Sequence, residues 1–110
     1  MNKPIIIQTT TDNQDWTKKL TTALLENRLS ADVQSSDIGS NYWWKGEIRT
    51  KNETLLTIKT KESLFKDVEK IIRDNSLYET PQIIAAPIIN GGKDYLDWIK
   101  EETNYKSTGG

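Results

Sequence analysis

Two adjacent tryptophans before a predicted turn constrain the fold of this chain more than any other feature. The stretch reads Tyr42-Trp43-Trp44-Lys45-Gly46. On a β-strand successive side chains point to opposite faces, so Tyr42 and Trp44 share one face while Trp43 lies on the other. A chain of 110 residues forms one domain, whose helices cover one face of such a hairpin. We therefore expect a second chain to cover the other face.

Charge and hydropathy exclude two classes of partner. The net charge is −1 with 28% charged residues, which provides no basic surface for nucleic acid. No apolar run approaches the length that a membrane span needs, and the isoleucines after Pro4 form too short a run for a signal peptide. We expect no nucleic-acid or membrane partner, and we expect a cytoplasmic protein.

The sequence contains no cysteine and no histidine. This removes disulfides, thiol and imidazole nucleophiles, and the usual ligands of zinc and copper. The many carboxylates form no pair that the sequence places across a substrate. We therefore predict no enzymatic activity and no catalytic residue, and a divalent cation is the one cofactor that stays open.

The first half of the chain predicts a strand, a helix and a hairpin. Residues Pro4–Thr10 are β-branched and apolar, which indicates a buried strand. Asp12 is the predicted N-cap of a helix that runs to about Leu29. Residues 31–39 are too polar for a regular strand, so we expect an irregular or edge segment. Two strands, 41–44 and 47–50, then pair across Lys45-Gly46.

The second half predicts a strand, a helix, an edge strand and a last helix. Three polar residues at 51–53 interrupt the second hairpin strand, which resumes from 54 to 60. Thr60 is the predicted cap of a helix that ends near Asn75. Two prolines between 78 and 89 predict that the strand in that segment lies at a sheet edge or is locally broken. The predicted inner faces of these helices are apolar: Leu64, Phe65, Val68, Ile71 and Ile72 in the first, and Tyr95, Trp98 and Ile99 after the turn at Asn90-Gly91-Gly92.

This order, β-α-β-β-α-β-α, predicts an α+β fold of the ferredoxin-like type. Such a fold has a four-stranded antiparallel sheet with two helices on one face. We predict one domain over residues 1–103 and a flexible tail over 104–110. The opposite sheet face and the aromatic hairpin then form a surface that a neighbouring subunit would bury.

Six short motifs, in order, resemble the CutA divalent-cation-tolerance family. The resemblance covers about Ile5 to Glu102. The motifs are Thr9-Thr10, Leu29-Ser30-Ala31, Tyr42-x-Trp44-x-Gly46-x-Ile48, Lys59-Thr60, Tyr78-Glu79-x-Pro81-x-Ile83 and Tyr95-Leu96-Asp97-Trp98.

The resemblance implies a homotrimer in which the sheets face inward and each hairpin reaches across to a neighbour. It also implies an architecture like that of the PII signalling proteins, which bind effectors in clefts between subunits. The family is linked to tolerance of divalent metals, especially copper.

The sequence departs from the family pattern where soft metal ligands are expected. Family members often carry cysteine after the first helix and histidine before the last strand, whereas this protein has Asp32 and Ser76 in those segments. Copper and zinc prefer thiolate and imidazole ligands, so a tight site for them is not expected. Carboxylates still suit a harder, weakly bound ion, and the candidates are Asp32, Asp37 and Glu79.

The resemblance places Lys59, Tyr78 and Glu79 in a cleft between subunits. Lys59 would hold an anion there or pair with Glu79; alternatively it is a solvated lysine at the strand end or part of a structural ion pair across the trimer. Tyr42, Trp43 and Trp44 serve either as interface anchors or as a stacking surface, and we favour the trimer interface.

Two functions from different classes follow. The first is a homotrimeric cytoplasmic protein of divalent-metal tolerance or response with weak oxygen-ligand cation binding. The second is a PII-like regulatory module that binds a small anionic effector or a partner protein in the intersubunit cleft.

Overall fold

A computed structural model describes residues 2–104, and its elements follow the predicted order. All but the first residue of the predicted tail lie outside this range. The sheet has the order β2-β3-β1-β4, and every pairing is antiparallel. This is the predicted ferredoxin-like α+β fold. The elements are β1 (Pro4–Thr11), α1 (Gln14–Glu26), β2 (Asp32–Trp44), β3 (Glu47–Lys61), a 3-10 turn (Glu62–Leu64), α2 (Phe65–Asn75), β4 (Ile84–Pro87) and α3 (Lys93–Glu102).

The core lies between one face of the sheet and helices α1 and α2. Ile7 of β1 is paired with Ile58 of β3, and both are fully buried. Because side chains alternate along a strand, residues at every second position of β1 and β3 reach the same core. The helices complete it with buried apolar side chains at helical spacing, namely Trp16, Leu20 and Leu24 of α1 and Val68 and Ile72 of α2.

Helix α3 packs on the sheet face opposite to α1 and α2. Its Tyr95 contacts Lys59, whose side chain alternates with the buried Ile58 on β3. Ile99 is fully buried, as predicted for the inner face of this helix. Tyr95 and Trp98 are instead 41% and 37% exposed, so their apolar surface is only half covered within one protomer.

The first helix begins and ends one to three residues away from the predicted positions. Asn13, not Asp12, is the N-cap, since its side chain accepts the Trp16 amide at 2.8 Å. The helix ends at Glu26 because Arg28 adopts a left-handed backbone, φ +57°. The amides of Arg28 and Leu29 then bond back to the last turn in the pattern of a Schellman motif, which turns Leu29 into the core.

The hairpin is longer and more regular than predicted. β2 pairs with β3 without a break from Asp32 opposite Lys59 to Trp44 opposite Glu47. Of the two alternatives for residues 31–39, the edge segment is confirmed, because β2 is an edge strand of the sheet, and the irregular segment is wrong. The interruption expected at 51–53 is also wrong. Polar residues are tolerated at 34–37 because their side chains are exposed at the sheet edge, whereas Val33 packs against the core. The turn is the predicted one: Lys45 and Gly46 both have positive φ, +50° and +79°, as a tight I′-type turn requires.

The second half differs from the prediction at one cap. Thr60 belongs to β3, where its buried hydroxyl donates to the Leu29 carbonyl at 2.7 Å instead of capping a helix. Helix α2 therefore begins only after the 3-10 turn, and it ends at Asn75 as predicted. β4 lies at the sheet edge and is four residues long, which confirms the effect expected of its prolines.

Candidate functional site

A lysine cluster lies on the sheet face that α3 partly covers; we define it as Lys59, Asp32, Gln34 and Tyr95. Lys59 Nζ donates to Gln34 Oε1 at 2.5 Å and to Tyr95 Oη at 3.2 Å, and it lies 3.4 Å from Asp32 Oδ1. The Tyr95 hydroxyl in turn donates to Asp32 Oδ2 at 3.0 Å. Strands β2 and β3 position the first three residues by register, and the first turn of α3 adds Tyr95.

The lysine cluster keeps Lys59 charged. Partial burial acts to lower the pKa of Lys59, but the Tyr95 hydroxyl and the Asp32 carboxylate outweigh it and hold the pKa above the ordinary value of 10.5. The Lys59 side chain is only 13% exposed and that of Asp32 28% exposed. Within one protomer, the lysine is thus a partly buried ion pair with its hydrogen bonds satisfied.

The predicted partners of Lys59 lie elsewhere in the protomer. Tyr78 donates to Glu53 at 2.6 Å, and Glu79 is exposed. No hydrogen bond or ion pair within residues 2–104 joins Lys59 to Tyr78 or Glu79. The cleft that the resemblance implies lies between subunits, so Lys59, Tyr78 and Glu79 stay a prediction for the assembled protein.

A groove with a volume of about 730 Å³ lies between the outer half of the hairpin and the segment before β4. We call it the hairpin groove. Tyr42 and Trp44 line one side, and Tyr78 and Glu79 line the other. The remaining lining is mainly polar and includes two cationic residues: Thr10, Ser40, Asn41, Trp43, Arg49, Lys51, Glu53, Leu77, Thr80 and Gln82.

Trp16, Lys51 and Glu53 hold the Tyr78 side chain in the hairpin groove. The Tyr78 ring packs edge-on against Trp16, with ring centroids 4.9 Å apart. Lys51 Nζ lies 4.6 Å from the centroid of the Tyr78 ring and forms an ion pair with Asp12 at 2.6 Å. Burial, followed by the hydrogen bond to the Glu53 carboxylate, raises the pKa of Tyr78 far above its usual range. Tyr78 therefore stays a neutral donor at all physiological pH values.

The aromatic residues of the hairpin are exposed on both faces. Trp43 is 72% exposed and its cross-strand neighbour Ile48 is 66% exposed, while Tyr42, on the other face, is 38% exposed. Large apolar side chains at such exposure are typical of a surface that another molecule covers. This is the surface that the sequence assigned to the trimer interface.

A second, polar cleft of about 490 Å³ lies where the loop before α1 approaches the hairpin. We call it the oxygen-lined cleft. Seven of its lining side chains carry oxygen atoms, three of them as carboxylates: Asp12, Asn13, Gln14, Asp37, Asn52, Glu53 and Thr54. Asp12 and Glu53 entered the sequence analysis only as a helix cap and as part of a strand break. The β1–β3 and β2–β3 registers together bring them into the lining of the same cleft as Asp37.

The three predicted metal candidates are separated by the fold. Asp32 belongs to the lysine cluster, Asp37 lines the oxygen-lined cleft and Glu79 lines the hairpin groove. Within residues 2–104, no three acidic, histidine or cysteine side chains converge closely enough to hold a metal ion directly. Carboxylates in the oxygen-lined cleft would accordingly reach a cation through its hydration shell.

The sheet order and the three helices define a ferredoxin-like domain whose second and third strands extend into a long, aromatic-tipped ribbon. A family model described as CutA1 divalent ion tolerance protein matches residues 5–102. The chain therefore belongs to the CutA1 divalent ion tolerance family, as its motifs predicted.

Curated relatives agree with this assignment. The rice protein named Protein CutA 1, chloroplastic is 37% identical over 90% of this chain, and the chain spans 56% of that relative's length. An Archaeoglobus fulgidus divalent-cation tolerance protein CutA is 35% identical over 86% of this chain and 93% of its own length.

Solved structures give the same result for the fold. A crystal structure of CutA1 from Oryza sativa aligns with a TM-score of 0.88 at 36% identity, covering 93% of this chain and 94% of that one. A structure titled periplasmic divalent cation tolerance protein CutA from Archaeoglobus fulgidus aligns with a TM-score of 0.89 at 33% identity, covering 92% and 99%. In the part of the chain that the structure describes, no helix is long and apolar enough to cross a membrane.

Proposed function

We propose that this chain is a homotrimeric protein of divalent-metal tolerance or response that holds divalent cations weakly through oxygen ligands. The observation that carries the cation proposal is the oxygen-lined cleft, which gathers three carboxylates and several amide or hydroxyl oxygens. Carboxylates, amide carbonyls and water are the ligands that hard cations such as Mg²⁺ and Ca²⁺ prefer.

Competing contacts explain why binding in the oxygen-lined cleft would be weak. Asp12 is bound to Lys51 at 2.6 Å, and Glu53 accepts the Tyr78 hydroxyl at 2.6 Å. A cation would have to share or displace these contacts, whereas Asp37 is exposed and faces solvent. We therefore expect Asp37 to contribute most to binding, with dissociation constants in the millimolar range and retained metal-bound waters.

The available ligands also disfavour tight binding of copper and zinc. Copper and zinc gain most from thiolate and imidazole ligands, and the sequence contains neither. If copper tolerance of the kind linked to the family extends to this protein, it does not depend on a soft-ligand site of its own. We propose binding without catalysis, since the sequence offers no recognisable nucleophile.

The trimer proposal is supported by the hairpin and the open sheet face. Trp43 and Ile48 are 72% and 66% exposed on one face of the hairpin, and Ile84 of the edge strand is 54% exposed. Burying these side chains between copies would remove apolar surface from water, which stabilises the assembly by about 25 cal/mol per Å². A closed ring of three copies covers every hairpin in the same way.

The cytoplasm stays our proposed compartment, and its test is fractionation of cells that express the untagged protein. The names of relatives differ on this point, since the plant proteins are called chloroplastic and one archaeal structure is titled periplasmic.

Isothermal titration with Mg²⁺, Ca²⁺, Cu²⁺ and Zn²⁺ tests the cation proposal. We expect weak heats at millimolar metal that Asp37→Asn reduces strongly. Asp97→Asn is the matched control, because Asp97 is a carboxylate on α3 outside the oxygen-lined cleft. Absence of heat for all four metals, or equal losses in both variants, would remove the cation site from this cleft.

The hairpin groove supports a second candidate, a PII-like module that binds a small anionic effector. Its lining combines Lys51 and Arg49 with the aromatic faces of Tyr42 and Trp44, a chemistry suited to a planar anion. The predicted cleft residues Tyr78 and Glu79 also line it, whereas Lys59 does not. A thermal-shift screen of nucleotides and metabolites tests this candidate. A flat screen on intact trimer counts against it.

A further inference from the structure

We propose that Asn90 is a site of spontaneous deamidation, a chemical modification that adds one negative charge beside the start of helix α3. Asn90 and Gly91 form the only Asn–Gly pair in the sequence. This inference is independent of the cation and effector proposals, because it concerns the backbone chemistry of the segment between β4 and α3.

The geometry around Asn90 leaves its reacting groups free. Asn90 is exposed in a bend between Pro87 and Lys93, outside every helix and strand. Within residues 2–104, its side-chain amide makes no hydrogen bond, and the Gly91 backbone amide donates none. The first hydrogen bond of the following helix is that of the Leu96 amide to the Gly92 carbonyl, 3.0 Å.

The other asparagines lack this combination. Asn13 accepts the Trp16 amide through its side chain, and the Asn27 and Asn75 side chains donate to carbonyls of their own helices. Asn52 is exposed like Asn90 and makes no side-chain hydrogen bond within the described range, but it lies within β3, opposite Gly39, and is followed by Glu53. Asn52 is therefore an internal control: its side chain is exposed to solvent, but its backbone is fixed by the pairing of β3 with β2.

The reaction needs only water. The deprotonated Gly91 nitrogen attacks the carbonyl carbon of the Asn90 amide group, forming a new C–N bond and a five-membered succinimide. The bond from that carbon to the original amide nitrogen breaks as ammonia leaves. Water then opens the ring at either carbonyl and yields aspartate or isoaspartate, so that one water is consumed and one ammonia released. Glycine at the second position removes the Cβ that would crowd the attack.

The product affects the helix that completes the lysine cluster. Gly92, the residue before α3, provides no side-chain cap, and a carboxylate two residues earlier would interact favourably with the helix N-terminus. Isoaspartate instead inserts a methylene into the backbone ahead of α3. Because Tyr95 lies in the first turn, this second product would shift the hydroxyl that binds Lys59 and Asp32.

Incubation of the full-length protein at mildly alkaline pH, followed by peptide mapping for the NH₂-to-OH mass change and an isoaspartate assay, tests the proposal. We expect conversion at Asn90 to exceed that at Asn52 by about an order of magnitude, since only Asn90 has a free backbone and a glycine neighbour. Asn90→Asp provides the product standard, and Asn90→Gln, whose ring closure is slower, should abolish the fast conversion.

Gly91→Ala separates the local chemistry from general instability. A Cβ at position 91 would lie 3.0 Å from Leu96 Cδ2, so circular dichroism must first show that this variant is folded. We expect slower conversion in Gly91→Ala. Equal rates at Asn90 and Asn52 in the unsubstituted protein overturn the proposal on their own, whatever the variants do.

Discussion

Replacing Lys59 by methionine should destabilise the protein through the ion pair that the lysine makes within its own protomer. Lys59→Met keeps the length and apolar stem of the side chain but removes the ammonium that Asp32, Gln34 and Tyr95 bind. Asp32 then keeps the Tyr95 hydroxyl and loses its cation. The sequence left open a structural ion pair across the trimer, and this variant tests instead a structural role of Lys59 within one protomer.

The burial of the pair sets the expected size. Exposed ion pairs contribute ~0–1 kcal/mol, and breaking a fully buried pair costs ~3–5 kcal/mol. With side chains 13% and 28% exposed, the Lys59–Asp32 pair lies between these limits. We expect a loss of about 2 kcal/mol in the free energy of unfolding, with a coupling energy to Asp32→Leu of about 1 kcal/mol or more.

Urea denaturation at a fixed protomer concentration is the assay, because the stability of an oligomer depends on concentration. Lys59→Met, Asp32→Leu and the double variant form the cycle. The pair Lys93–Asp97 is the control, since its lysine is 91% exposed and it should show no measurable coupling. If the losses in unfolding free energy of Lys59→Met and Asp32→Leu were additive in the double variant, Lys59 would have no structural role in this pair. The predicted role of Lys59 in a ligand-binding cleft would then be favoured.

The pH dependence gives an independent check. The pKa of Lys59 is raised in the folded state, so its contribution to stability is complete below the ordinary value of 10.5 and is lost as the pH rises through the folded value. The coupling energy should therefore be constant near neutral pH and fall only in strong alkali. A coupling that falls near neutral pH would contradict this assignment.

Two other predictions concern the hairpin and its groove. Trp44→Ala should weaken or dissociate the trimer, because truncating a packed aromatic costs ~3–5 kcal/mol; light scattering measures the mass, and unchanged mass and melting would contradict the interface role. Tyr78→Phe removes the donor to Glu53 and should lower the unfolding free energy by about 1 kcal/mol, with the packing on Trp16 kept; a Tyr78→Phe variant as stable as the parent would show that solvent replaces this bond at no cost.

Patterns of neighbouring residues correctly predicted the strands and helices that bury one apolar face in the core. β1 was predicted from its run of apolar, β-branched residues, and α2 because Val68 and Ile72 recur at helical spacing. The two prolines between 78 and 89 predicted an edge strand or a locally broken one, and β4 lies at the sheet edge. These features depend on residues that are close in sequence, so the sequence alone carries the information.

Local patterns were less informative where a strand is mostly polar. The segments 31–39 and 51–53 pair in a continuous ribbon although most of their residues are polar, because cross-strand hydrogen bonds do not depend on the side chains. The cap was misplaced by one residue because Asp12 and Asn13 both suit that position, and only the backbone decides which side chain reaches the Trp16 amide. Thr60 was likewise assigned to a helix end when a carbonyl 31 residues away was its partner.

The sequence by itself determined the fold class, the family and the turn at Lys45-Gly46. Only the tertiary structure decided which side chains meet. It placed Lys59 with Tyr95 from a distant helix, and it brought Asp37, Asp12 and Glu53 into the lining of one cleft. The reason is physical: periodicity depends on neighbours along one strand or helix, whereas the partners of a charge are set by register and packing between elements far apart in the sequence.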